Sequence, residues 1–479
     1  MKKKLLHVER SVFARFLLLF FALQIAVLLI IRTSRSNIQA VSHEHETRSR
    51  LQVRSSASNT TRSRLQVQQK PSKPMITCDR SHRSYNWCRL KHPTILEPTS
   101  ATFFMIGGSS TDPPMLEKIR PYPLKQNYDA MLNIREITLT SAPLNATCQV
   151  YHSTPALAFS IGGFTGNFFH DFNDGFLPLF ITINTLFPED QDITLVITNY
   201  TDWWYSKYEA ILPRFSAHPI VNLDNQTVTH CFPSGAVGLI THGSMTIKPR
   251  LIPNGKTFLD FHAVLEEGYG RCLVWPPPEL KGRPRLILVG RKGNVGRVIL
   301  NQDRVIRAAE EAGFEVVVFE PTAFTYLCDI YRLINGSHAM VGVHGAALTH
   351  SLFLRPGSVF IQVVPLGNDW LAGTYFKNLA VGLKLEYMEY KIRAAESSLA
   401  LRHGMNHVLI KDSKSIASRN WSALHKIYLK GQDVRLDIGR FKGYLRNAYR
   451  IARRSMLEQG LHVKHRARKQ KYIEPLIVS

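Results

Sequence analysis

Four stretches hold residues whose types and spacing could do chemistry. In the first, an apolar strand at 339–343 runs into His344-Gly345-Ala346-Ala347, and an apolar helix-like run at 348–354 follows. A strand that breaks at glycine and restarts as a helix points backbone N–H groups outward, which suits an anion such as a diphosphate. It equally suits an ordinary strand–turn–helix corner. In the second, Gly290-Arg291-Lys292-Gly293-Asn294-Val295-Gly296-Arg297 follows a strand at 285–289. Arginine offers paired, always-charged donors to phosphate. The spacing is neither the Gly-x-Gly-x-x-Gly dinucleotide pattern nor a P-loop, and a solvated loop is the plain alternative. In the third, Asn167-Phe168-Phe169-His170-Asp171-Phe172-Asn173-Asp174 opens a helical run. His170 and Asp174 stand four residues apart on one face, where either could take a proton from a hydroxyl. Capping by Asn and Asp explains the same composition. The fourth is Asp190-Gln191-Asp192, an acidic pair that precedes a strand. A metal-holding pair is expected after one, so the stretch reads as a loop. No His-Glu-x-x-His spacing occurs, and no metal requirement is expected.

These stretches need a scaffold that brings strand ends together. From Pro155 the pattern gives a strand at 156–161, a helical run at 168–186, a strand at 193–198, a helix at 203–212 and a strand at 219–223. A punctuating Pro276-Pro277-Pro278 precedes a second series: strand 285–289, helix 301–312 closed by Gly313, strand 315–319, helix 322–334, strand 339–343 and strand 359–364. Shorter β-like pieces occur at 102–106 and 137–140. Strands alternating with helices imply parallel α/β sheets. Two such units in tandem would face a cleft at the carboxyl ends of their strands.

Charge and composition narrow the setting. The net charge is +24, but residues 1–75 hold 14 Lys/Arg against 3 Asp/Glu, and residues 440–471 hold 11 against 1. The body between is nearly neutral, which disfavours nucleic acid as a partner. An apolar run at 12–31 behind Lys2-Lys3-Lys4 is long enough to cross a bilayer and reads as a signal anchor with a lumenal body. Residues 32–75 are polar and repeat Thr-Arg-Ser-Arg-Leu-Gln-Val at 47–53 and 61–67, as expected of a flexible stem. Six Asn-x-Ser/Thr acceptors (Asn59, Asn145, Asn199, Asn225, Asn335 and Asn420) agree with a lumenal body, as do six cysteines, whose pairing the sequence leaves open beyond a local Cys78–Cys88 loop. A basic helix is expected at 436–457, and a solvated or flexible basic run at 464–471.

Taken together, the pieces resemble the plant glycosyltransferase family 61 proteins. They are Arg-Pro-Arg-Leu-Ile-Leu-Val (283–289), Asn301, Ala-Gly-Phe-Glu-Val-Val-Val (312–318), Val-Gly-Val-His-Gly-Ala (341–346), Leu-Thr (348–349), Val-Phe-Ile-Gln-Val-Val-Pro (359–365), Tyr-Met-Glu-Tyr (387–390), and Asn167 to His170 with Asp174. The resemblance implies a GT-B-like α/β fold, two Rossmann-like domains facing a cleft, behind a transmembrane helix and stem. Its divisions would be a cytosolic tail (1–11), signal anchor (12–31), stem (32–75), acceptor-side domain (76–275), donor-binding domain (276–420), helical segment (421–460) and basic tail (461–479). It implies a single-pass type II Golgi membrane enzyme that moves a pentose, xylose or arabinofuranose, from a UDP-sugar to xylan with inversion and without a metal or other cofactor. The alternatives are β-1,2-xylosyl transfer to N-glycans and a non-catalytic lumenal binding protein; homo- or hetero-oligomerisation stays open. Arg291, Asn301, His344 and Gly345 would line the donor site, with Arg297 and the N–H groups of Ala346 and Ala347 beside them, and Asp174 or His170 would be the base. Trp203-Trp204-Tyr205 could stack on a sugar chain or pack in the core. Gly290 and Ala347 depart from the family's usual Ser and Gly.

Overall fold

The computed structural model describes residues 75–473 apart from 108–113, 143–146, 273–281, Asn294 and Ala323, with backbone alone after Glu458. The expected tail, anchor and stem at 1–74, with Asn59, Asn145 and the three prolines at 276–278, lie outside these residues. Among the described residues no helix is long and apolar enough to cross a membrane.

The scaffold is mixed α/β with three sheets. In the first, Ala156–Ser160, Thr194–Thr198, Val221–Asn222 and Gly235–Val237 are parallel, and Ile76–Asp79 and Trp87–Leu90 extend it antiparallel. The second is a mixed sheet that includes Thr94–Glu97, Thr102–Met105 and Ile137–Thr140. The third holds five parallel strands in the spatial order Glu315–Phe319, Arg285–Val289, Ala339–Val343, Val359–Val364, Glu386–Lys391. Numbered along the chain this is 2-1-3-4-5, a doubly wound order. Its direction reverses between the first and third strands, so the loops leaving Val289 and Val343 flank one crevice.

Burial explains why this sheet is so regular. Its three central strands, Arg285–Val289, Ala339–Val343 and Val359–Val364, are largely apolar on both faces, as buried parallel strands must be. Ile287, Val289, Met340 and Phe360 join a core that continues into Leu157, Phe159 and Leu195 of the first sheet. Leu286, Leu288, Val341 and Ile361 face the other way, under Phe441, Leu445 and Ala448 of the helix Ile438–Ile473. The described residues thus fall within one compact unit.

Strands at 285–289, 315–319, 339–343 and 359–364 form where the apolar runs place them, and Gly313 takes a left-handed φ of +111° behind its helix. Other elements differ. The helix expected at 322–334 starts later, as Leu327–Asn335, because Thr322 and Thr325 bond each other's groups in a turn. The run after Gly345 is a 3₁₀ helix, Ala346–Phe353. The helical run from Phe168 is interrupted by a π-helical turn, Asp171–Phe176. The C-terminal helix extends to Ile473, so the backbone at 464–471 is helical. Disulfides join Cys78–Cys88, Cys148–Cys231 and Cys272–Cys328. Of the described sequons, Asn225 and Asn420 are exposed. Asn335 is 7% exposed and spends its Nδ2 on Tyr331 and the Phe353 carbonyl, which removes it from the set on the folded chain. The Nδ2 of Asn199 is likewise spent, on the Asn133 carbonyl.

Candidate functional site

The crevice between the first and third strands of the C-terminal sheet is cationic. Arg291 and Arg297 sit on the loop that leaves Val289, and both guanidinium groups press against Gly345, at the end of Val343. A Cβ on Gly345 would stand 2.7 Å from the Arg291 Nη1 and 3.1 Å from the Arg297 Nη1. Glycine is required here by close approach, since its φ of 163° is ordinary extended backbone. Arg297 itself adopts a left-handed φ of 60° and donates from Nη1 to the His344 carbonyl at 2.9 Å. A non-glycine residue in that region costs energy, and the surrounding contacts must hold it there.

The charge on this pair is poorly compensated. The Nε atoms of both arginines are buried and find no hydrogen-bond partner among the described residues. Burial pushes both groups below the usual arginine range, Arg297 to about 9 with added repulsion from Arg291; Asp433 partly offsets the effect at Arg291. A buried, under-partnered cation pair is costly unless an anion completes it.

His344 lines the same crevice and is 4% exposed. Burial first, then Arg297 and Arg291, hold it down to about 3, so it is neutral at any working pH. The Tyr387 hydroxyl donates to Gln362 Oε1 at 2.6 Å, which turns the Gln362 amide nitrogen toward His344 Nδ1 at 2.8 Å. That relay leaves the ring proton on Nε2, as a donor. Ala346 and Ala347 open the 3₁₀ helix, and Leu348 N already bonds the Gly345 carbonyl. Asn301 is not available to a ligand: its Nδ2 donates to the Leu436 carbonyl at 2.8 Å and its Oδ1 accepts from the Leu436 N–H at 3.0 Å. It ties the C-terminal segment to the sheet.

The His170–Asp174 pair forms where the N-terminal helical run widens. Asn167 caps that run by accepting from the Phe169 N–H, as the composition suggested. His170 Nδ1 lies 2.6 Å from Asp174 Oδ2, and the side chains are 25% and 2% exposed. Asn173 donates to Asp174 Oδ1 at 2.6 Å, and the Tyr122 hydroxyl reaches Oδ2 at 3.3 Å. Burial and Asp174 raise Tyr122 far above the usual tyrosine range, so it stays a donor. Both oxygens of Asp174 are therefore engaged, and His170 is the member with an open face. Tyr122 also explains Gly163, whose φ is +64° and whose Cβ would fall 2.5 Å from that ring.

Two residues that the sequence reading passed over complete the picture. Asp171, 2% exposed, accepts from the Tyr208 hydroxyl and the Gly166 N–H and so pins the turn before the helix. Tyr375 lies on a second π-helical turn, Ala372–Lys377. Its ring packs 4.8 Å from Phe169 and 6.4 Å from His344. Burial and the charge of Asp174 both raise it, so it faces both chemical clusters. Widened turns often mark functional sites, but nothing in periodicity announces one. Asp190 and Asp192 lie on the loop entering Thr194–Thr198; Asp192 contacts His218 at 2.6 Å. Of the three aromatics at 203–205, Trp204 is buried against Phe176, and Trp203 and Tyr205 are partly exposed.

Comparison with known proteins agrees with this geometry. Residues 166–361 match the family model described as Glycosyltransferase 61. The chain is 37% identical over 396 residues to the xylan glycosyltransferase MUCI21 of Arabidopsis thaliana, covering 78% of this chain and 79% of that protein. It is 34% identical to the alpha-1,3-arabinosyltransferase XAT3 of Oryza sativa subsp. japonica, covering 79% and 66%. It is 33% identical to the beta-1,2-xylosyltransferase XYXT1 of the same plant, covering 80% and 85%.

Proposed function

We propose, on the premise that this chain belongs to the glycosyltransferase 61 family and is a glycosyltransferase, that it moves a pentose from a UDP-sugar to xylan with inversion. Arabinosyl and xylosyl transfer are both named among its relatives, so the donor is xylose or arabinofuranose. The observation that carries the donor reading is the Arg291–Arg297 pair against Gly345. Two buried cations with unpartnered Nε atoms, at the switch point of a doubly wound sheet, suit a nucleotide diphosphate. They also supply positive charge where other transferases use a divalent cation, in keeping with a metal-independent reaction. The wider reading is a GT-B-like enzyme with the donor on residues 276–420 and the acceptor on 76–275. Residues 12–31 would anchor it in the Golgi membrane, with this body in the lumen.

The chemistry is a single displacement. An acceptor hydroxyl attacks the anomeric carbon as its proton passes to His170 Nε2. Asp174 accepts from Nδ1–H, which leaves Nε2 as the accepting nitrogen, and is a positioning residue. The anomeric C–O bond to the diphosphate breaks, and its electron pair leaves with UDP. Arg291, Arg297, the His344 Nε2–H and the N–H groups of Ala346 and Ala347 stabilise that charge. The test is incubation of the full-length chain with UDP-xylose or UDP-arabinofuranose and xylo-oligosaccharides, read by mass spectrometry. A pentose increment is expected from one donor; none from either would sink the reading. His170→Asn should lower kcat by roughly 10²–10⁴-fold while UDP still raises Tm. Wild-type turnover in that variant would remove His170 as the base.

A further inference from the structure

Beside the site, an exposed aromatic stands in a hollow whose walls mix apolar residues, Leu371, Ala417 and Leu424, with polar and charged ones. Trp370 is 63% exposed, on the one-turn helix Asp369–Leu371. It borders a cavity of about 500 Å³ whose walls include Gly367, Asp369, Lys414, Ser418 and Arg419. The walls are held in place. Asp369 Oδ1 lies 3.4 Å from Lys391 Nζ and 3.6 Å from Lys414 Nζ, so its charge is neutralised. Gly367 packs so closely on Tyr428 that an added Cβ would lie 2.8 Å from the ring.

The hollow connects to the chemistry through aromatic rings. Trp370 packs edge-on to Tyr375 at 6.2 Å, Tyr375 lies 4.8 Å from Phe169, and Phe169 lies 5.2 Å from His170. These three steps limit the Trp370–His170 separation to the length of a short oligosaccharide. A sugar ring has an apolar C–H face and a rim of hydroxyls. An indole platform beside hydroxyl, carboxylate and cationic groups matches both. A nucleotide would instead seek the cations at Arg291 and Arg297.

We propose that this hollow is a distal acceptor subsite: Trp370 stacks on a non-reacting sugar residue of the polysaccharide while another residue of the same chain meets His170. The subsite rests on the acceptor reading above. It makes the enzyme prefer long acceptors, because only a chain that spans both places gains the added contact. Binding energy from a remote part of a substrate improves the reaction at the reacting part.

The test uses the full-length chain and a ladder of xylo-oligosaccharides from disaccharide to decasaccharide. In the wild type, kcat/KM should climb with length and then level off. Trp370→Ala should remove that climb, a loss of about three- to tenfold on long acceptors. The shortest acceptor and the donor KM should be unchanged, and Trp370→Tyr should restore most of the climb. The proposal is overturned by a wild type indifferent to length. It is also overturned if Trp370→Ala keeps the climb or loses activity equally on short and long acceptors. Absence of transfer by the wild type to every oligosaccharide would instead fell the acceptor reading. The two failures are distinct, because one shows in the variant and the other in the parent.

Discussion

At Gly345 a single hydrogen atom decides whether two arginines can share a crevice. Gly345→Ala places a methyl 2.7 Å from the Arg291 Nη1. The atoms it meets are the ends of flexible side chains, so the fold should survive and the cations should move apart. The expected result is a folded chain with an unchanged Tm, a much weaker Tm rise with UDP, and a donor KM raised at least about tenfold, a loss of 1.4 kcal/mol or more. A normal UDP response would show that the crevice does not hold the diphosphate. Two buried histidines give a second prediction. His344 and His350 are both held down to about 3 by burial, against an ordinary value of 6.5. A depressed histidine is neutral in the folded chain while the unfolded chain takes up a proton. Stability should therefore fall as pH drops below 6.5 and go on falling to about 3, by a few kcal/mol. Chemical denaturation at stepped pH would show it. His350→Phe keeps an aromatic ring against Phe168, now 4.0 Å away, and should flatten the slope.

At the scale of elements, the parallel strands were legible because buried strands read as short unbroken apolar runs. The runs at 285–289 and 339–343 admit little else, and they set the crevice that holds Arg291 and His344. Glu386–Lys391 is the edge strand of the same sheet and its pattern is mostly polar, so periodicity alone passes over it. The widened turns at Asp171–Phe176 and Ala372–Lys377 were hidden for another reason. One extra residue per turn leaves no compositional mark, yet it sets where Asp174 and Tyr375 sit. Residue type also misled. Asn301 looked like a ligand group and proves to be a backbone clamp on Leu436, because its partner lies 135 positions away in sequence. The preference for His170 over Asp174 as the proposed base rests on burial, which spacing does not encode.

At the scale of the molecule, Cys272–Cys328 staples the turn Gly270–Cys272 to the helix Leu327–Asn335 in the second series. It closes a loop with a sequence separation of 56 residues, and by chain entropy is worth about 4 kcal/mol. Replacing both cysteines with serine should lower the unfolding free energy by about that amount, seen as a lower denaturation midpoint, while donor and acceptor KM stay near their parent values, since neither cysteine borders the crevice. An unchanged midpoint would mean that the shared apolar core alone joins the two series.

The helix Ile438–Ile473 has a consequence for how the molecule is made. Phe441, Leu445, Ala448 and Ala452 cover one face of a sheet whose last strand ends at Lys391. During synthesis that sheet emerges well before its cover, with Leu286, Leu288, Val341 and Ile361 facing water in the meantime. Exposed apolar sheet faces invite association with other chains. The nascent protein is therefore most vulnerable over a defined interval, after the crevice of Arg291 and Arg297 has been translated and before the helix arrives. A chain stopped short of Phe441 would remain in that interval, and chaperone binding rather than loss of chemistry would be its first symptom.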